Sequence, residues 1–245
     1  MTKAVLTAAA LVVGCAASPA AEVLPERVGT ALILAVDVSG SVDAERFGLQ
    51  RDGIADALSD PAVQNVLLAP AAAPLVVAVV TWADRARIAI PWTQITDREA
   101  AAGFAARVRK LQRTGESFTC VAAMLGFIAN RLLPSLPPAR RVIVDVSGDG
   151  SENCNPPSPP AERRDQLVAL GATINGLPIL EGREAATLES WYGANVIGGD
   201  NAFTIAAADF SDVGRAMRLK FTAEISGAEP PALAIRLAQR RRGPR

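Results

Sequence analysis

The chain has 245 residues, half of them apolar, enough for one domain of ordinary size with tails and a full core. Its 25 basic and 25 acidic side chains cancel, but five arginines lie in the closing segment RLAQRRRGPR, so residues 1–235 hold 20 basic against 25 acidic groups, a formal −5. An acidic body gives no case for a nucleic-acid groove, and the absence of histidine excludes Ser-His-Asp and Cys-His catalysis and every imidazole-dependent site.

The opening stretch, MTKAVLTAAALVVGCAASPAAEV, joins one lysine to a short apolar run and then small residues. That is the pattern of an export signal over residues 1–21, since the caps and amphipathic face of a structural helix are missing. Two endings fit. VVGC resembles a bacterial lipobox, which would leave Cys15 acylated and anchor the protein to a membrane. SPA before Ala21 resembles an ordinary signal-peptidase site, which would leave a periplasmic or secreted chain. Residues 22–29 read as a linker, 30–226 as the domain and 227–245 as a basic Pro/Arg tail. Past the first few dozen residues no apolar span reaches the roughly 18 residues of a membrane helix.

Within the domain, ALILAV (31–36), LVVAVV (75–80) and RVIVDV (141–146) are near-continuous apolar runs of strand length, suited to a parallel sheet covered on both faces. RIAIPW (87–92) follows the second run after a short turn and predicts an antiparallel edge strand whose end Pro91 blunts. Helical faces lie between and after the runs: Phe47, Ile54 and Leu58; Phe104, Val108 and Leu111; Val121, Met124, Ile128 and Leu132; and Phe210, Val213, Met217, Phe221 and Ile225, the last opening at DFSD. ATINGLPIL and NAFTIAA read as later strands, with Asn175-Gly176 marking a bulge or kink. The alternation predicts a doubly wound α/β domain. Trp82, Trp92, Trp191 and Tyr192 read as core or edge packing.

In such sheets ligands sit beyond the carboxyl ends of the strands. The first strand ends in DVSGSVD, delivering Asp37, Ser39 and Ser41; the strand before SGDG delivers Asp149 to the same edge; Thr119 stands at the start of the third helix. Two carboxylates and three hydroxyls make an all-oxygen set suited to Mg²⁺ or Mn²⁺. Asp145, Ser147, Asp149 and Gly150 also match the first half of an EF-hand calcium loop, but its twelfth position is Pro156 and Asp145 falls inside the strand.

DVSGSVD fits the D-x-S-x-S motif and resembles the metal-ion-dependent adhesion site of von Willebrand factor A domains, with Thr119 and Asp149 where that family's second and third loops would fall. The resemblance spans roughly residues 29–225, and the pairing with DVSGDG and INGLPI looks like a family of exported bacterial proteins built on this domain. It implies a six-stranded, mostly parallel sheet flanked by helices. It also implies Ser39, Ser41 and Thr119 as direct or near-direct ligands, Asp37 and Asp149 acting largely through waters and hydrogen bonds, and an open position for a partner's Asp or Glu carboxylate. Phe118 replaces a small residue of the family's second loop, with Ser117 the stand-in ligand should the register differ, and GDG replaces the commoner TDG. If those loops meet at one metal, Cys120 and Cys154 come close enough to bond.

Three functions follow as expectations. The first is an exported, non-enzymatic module that captures an acidic group of a protein partner through its metal. The second is a metal-dependent hydrolase, against which stand the missing histidine and the lack of a D-x-D pair, a G-x-S-x-G elbow or a phosphate loop. The third is a scaffold whose metal site is vestigial.

Overall fold

The three apolar runs become β1 (Val28–Asp37), β2 (Leu75–Trp82) and β4 (Ala139–Gly148), with β1 hydrogen-bonded in parallel to both others. The coordinates, a computed structural model, describe residues 23–114 and 117–226; the stretch read as an export signal, with Cys15, and the arginine tail lie outside the described residues. β3 (Ala86–Ile95) pairs antiparallel with β2, and β5 (Ala172–Pro178) parallel with β4, giving a five-stranded sheet of order β3-β2-β1-β4-β5. All ten residues of β1 are buried, as a central strand covered on both faces requires.

Alternate residues of β1 feed two cores. Leu32, Leu34 and Val36 meet α1 (Ala44–Ser59), α2 (Pro61–Leu67), α3 (Arg98–Arg109) and α7 (Val213–Ser226). Ala31, Ile33 and Ala35 face α4 (Val121–Phe127), α5 (Pro160–Ala169) and α6 (Leu188–Asn195). The helices start where side-chain caps stand: Asp43, Asp60 and Asp97 accept backbone N–H groups at the starts of α1, α2 and α3. The expected helical faces are buried except for Leu111, which lies past the end of α3 and is half-buried, and α4 runs on through a π-helical turn (Ile128–Leu132) to a 3₁₀ turn holding Pro134. Among the described residues no helix is long and apolar enough to cross a membrane.

Four expectations need correction. NAFTIAA does not form a sixth strand but only isolated parallel bridges, Gly176 to Thr204 and Ile179 to Ala207. Pro178 explains the interruption: its carbonyl accepts from Ala207 N at 3.0 Å, but it has no N–H to return. Asn175-Gly176 is neither bulge nor kink, since β4–β5 pairing runs unshifted from Val142–Ala172 to Gly148–Pro178. Gly176 is there for space: a Cβ would lie 2.8 Å from Tyr192 Cδ1 and 3.0 Å from Thr204 Cγ2. Pro91 does not end β3. The strand continues to Ile95 across a register shift between Val77 and Val79, and the missing N–H is tolerated on an edge. Val28 and Gly29, read as linker, are the first residues of β1.

Candidate metal centre

From β1 the chain returns to β2 on one side and β4 on the other, so the crevice between the ends of β1 and β4 is a topological switch point. Asp37 ends β1 there and is fully buried, as is Ser39, whereas Gly40 and Ser41 are exposed at the mouth. Asp37 Oδ1 accepts from Ser39 N at 2.8 Å, folding the loop back on the strand end. The Ser39 and Ser41 hydroxyls lie 3.4 Å apart, and Ser41 Oγ donates to Asp149 Oδ1 at 2.6 Å. Asp149 is the residue after β4, carried to the same edge by the parallel register.

Thr119 arrives from a loop held tightly against both others. A Cβ at Gly40 would fall 2.9 Å from the Ser117 carbonyl oxygen, and one at Gly150 would fall 3.3 Å from Thr119 Oγ1. Thr119 N donates to Asn153 Oδ1 at 2.7 Å, while Asn153 N donates to the Thr119 carbonyl at 3.1 Å. Asp84 accepts from the backbone N–H groups of Ser117 and Phe118, leaving the Phe118 ring 54% exposed beside the crevice. The structure therefore brings Asp37, Ser39, Ser41, Thr119 and Asp149 to one crevice. Asp145 is elsewhere, buried within β4, so the EF-hand alternative has no loop to form from.

The charge of this crevice is unbalanced. Burial, with the neighbouring Asp149 charge adding to it, pushes Asp37 up to about 7. Burial also raises Asp149, partly offset by the Ser41 hydroxyl and by Arg46. Arg46 is committed to Glu181, with Nε and Nη2 at 3.0 and 2.7 Å from Oε1. Two carboxyls pushed upward beside three hydroxyl oxygens fit a hard divalent cation, which would return both to their ionised form. The Ser41 hydrogen is already given to Asp149, so its lone pairs are free for a cation.

Cys120 and Cys154 form a disulfide, with Cα atoms 5.3 Å apart and a sequence separation of 34. It ties the Thr119 loop to the segment after Asp149, on top of the paired Thr119–Asn153 hydrogen bonds. Glu152 completes the brace, accepting from Ala122 N and Cys154 N at 2.8 and 3.0 Å. A loop of this size predicts that Cys120→Ser/Cys154→Ser loses about 3 kcal/mol, a drop in Tm of about 10 °C. Thermal melts of oxidised, reduced and double-serine protein would check it; equal melting temperatures would contradict the bracing role.

Several supporting residues escaped sequence reasoning. Gln50 is fully buried on α1, giving Nε2 to the Asp37 carbonyl at 2.9 Å and accepting from Ser147 Oγ at 3.1 Å. Its signal was available: a glutamine on the Phe47–Ile54 face must be satisfied inside. Arg113 holds the β1 loop by its carbonyls, reaching Ser39 O at 3.1 Å and Val42 O. Tyr192, read as packing, is fully buried in the second core, and burial with nearby carboxylates raises its phenol well above the ordinary value. No local pattern pointed to Arg113 or to the hydroxyl of Tyr192.

The fold is shared with von Willebrand factor A domains, and solved structures of such domains are similar to it. The mussel byssus proximal thread matrix protein 1 matches with a TM-score of 0.61 at 17% identity, covering 80% of this chain and 47% of its own. A second structure of that protein has a zinc-occupied MIDAS motif (TM-score 0.60, 16% identity). The von Willebrand factor type A protein from Catenulispora acidiphila gives a TM-score of 0.60 at 17% identity, covering 81% and 43% of the two chains. The von Willebrand domain of the type V pili tip protein Mfa5 from Porphyromonas gingivalis gives 0.57 at 11% identity, covering 82% and 96%. This chain thus spans just under half of the mussel protein's length. It belongs to the family described as "Protein of unknown function (DUF1194)", whose model matches residues 27–229. No curated protein matches it in sequence.

Proposed function

We propose that this chain is an exported, non-enzymatic binding module that captures an acidic group of a protein partner through a divalent cation, Mg²⁺ or Mn²⁺, at the β1–β4 crevice. The observation that carries the reading is the convergence of Asp37, Ser39, Ser41, Thr119 and Asp149 on a crevice where burial raises both carboxyls. Ser39, Ser41 and Thr119 would hold the cation by their hydroxyl oxygens, with Asp37 and Asp149 supplying charge and hydrogen bonds around it. The bound cation supplies a positive charge able to accept a partner's carboxylate at the exposed mouth formed by Gly40 and Ser41.

Export is supported by the Cys120–Cys154 disulfide, which persists in oxidising compartments. The binding reading is further supported by the kinds of protein that share the fold, among them a byssus matrix protein and a pilus tip protein. Against turnover, Asp37, the carboxyl nearest Ser39, has Oδ1 taken by the Ser39 backbone N–H.

Calorimetric titration with MgCl₂ and MnCl₂ tests the proposal beside an Asp37→Ala/Ser39→Ala variant. One saturable site, lost in the variant, is the expected result. Heat-silent titration of the intact protein at millimolar metal would sink the capture mechanism and leave the scaffold reading.

A further inference from the structure

We propose that Tyr192 is a positioning residue of the cation site, holding the inner oxygen of Asp37 from the core side; this rests on the reading of the crevice as a cation centre. Asp37 Oδ2 and the Tyr192 hydroxyl are both buried, and neither has a hydrogen-bond partner among the described residues. Each orphaned group is costly alone, and a hydroxyl that donates to a carboxylate relieves both. The two atoms rest against the same residue. A Cβ on Gly148 would lie 2.7 Å from Asp37 Oδ2, 3.0 Å from the Tyr192 hydroxyl oxygen and 3.1 Å from Trp82 Cζ2. Trp82 Nε1 is also unpartnered, but the phenol oxygen is the nearer polar atom to that point.

Gly148 thus lets a donor from α6 and an acceptor from β1 approach each other behind the site. Asp37 Oδ1 is already held by Ser39 N, so a Tyr192 hydrogen bond to Oδ2, made once a cation ionises Asp37, fixes the carboxylate on both oxygens. Partners that orient metal-site carboxylates in this way matter to affinity without touching the metal. The departure at this position, Gly148 where the related motif commonly has threonine, acquires a physical reason: any side chain would occupy the contact.

Tyr192 is the single tyrosine of the chain, so the full protein carrying isotope-labelled tyrosine gives one phenol resonance by NMR. Addition of MgCl₂ is expected to shift it. Tyr192→Phe should keep the metal-free melting temperature, because it removes a hydroxyl with no partner, yet weaken Mg²⁺ binding about tenfold by calorimetry. Gly148→Ala should weaken binding at least as much. If Tyr192→Phe binds Mg²⁺ as tightly as the unaltered chain, or if its metal-free melting temperature falls in step with affinity, Tyr192 is a packing residue and the proposal is overturned with the cation site standing. If the unaltered chain shows no saturable Mg²⁺ binding, the cation reading fails and takes this inference with it.

Discussion

Lys220→Met is expected to destabilise the folded domain by about 3–5 kcal/mol, among the largest effects of any single substitution here. Lys220 projects from α7 into the core with no exposure, its Nζ 3.3 Å from Asp145 Oδ1, 3.0 Å from Glu224 Oε1 and 3.3 Å from the Gly176 carbonyl. Asn175 Nδ2 donates to Glu224 Oε1 at 2.8 Å, so β4, β5 and α7 meet in one buried polar cluster. Removing the ammonium leaves two carboxyls facing each other without a cation. Asp145→Asn should cost far less, because Lys220 keeps Glu224. Urea unfolding of the two variants separates the cases, and similar midpoints for both would mean that the cluster holds no buried charge.

The same cluster sets a pH dependence. Burial first, and the Glu224 charge after it, push Asp145 up to about 8, with Lys220 pulling the other way. The folded domain therefore keeps a proton on Asp145 that the unfolded chain has released above about pH 4. This contribution favours folding at low pH and declines as pH rises from about 4 through 8. Lys220 is also raised, by its two carboxylate partners against its own burial, so its contribution is complete below its unfolded value and is lost only in alkali.

How much of this was legible depended on whether a signal was local. The three apolar runs and the D-x-S-x-S end of the first are self-contained patterns, and they placed the parallel strands and the oxygen-bearing edge. The Asp inside RVIVDV was local too: a carboxyl in a strand buried on both faces demands a cation from another element. Its partner could not be found by spacing, because Lys220 and Glu224 at i, i+4 read equally well as a solvent pair. Gly176 and Gly148 misled or stayed silent for a different reason. A glycine in a strand reports a close approach, and what approaches, Tyr192 in both cases, comes from a helix the local sequence does not specify. Pro178 was visible but its consequence was not, since a missing donor matters only once a neighbour lies alongside to be refused.

Mg²⁺ affinity should fall about fiftyfold or more between pH 7 and pH 5. Asp37 stands at about 7 because burial, and then Asp149, oppose its charge. A cation needs the carboxylate, so below that value each ion bound must displace a proton, at a cost of about tenfold in affinity per pH unit. Asp149, also raised, can only steepen the slope. The metal-free domain should respond in the opposite sense. Asp37 is protonated when folded and ionised when unfolded between about pH 4 and 7, so its contribution to stability weakens as pH rises through that window, and a bound cation restores it. Asp37→Asn removes one titrating group: binding should be weaker at neutral pH, with a shallower slope from pH 7 to 5 that Asp149 alone supplies. Calorimetry at several pH values in buffers of different ionisation enthalpy counts the protons released. An affinity that does not change over this range, with no proton release, would show that Asp37 is not part of the cation's surroundings, whatever holds the ion.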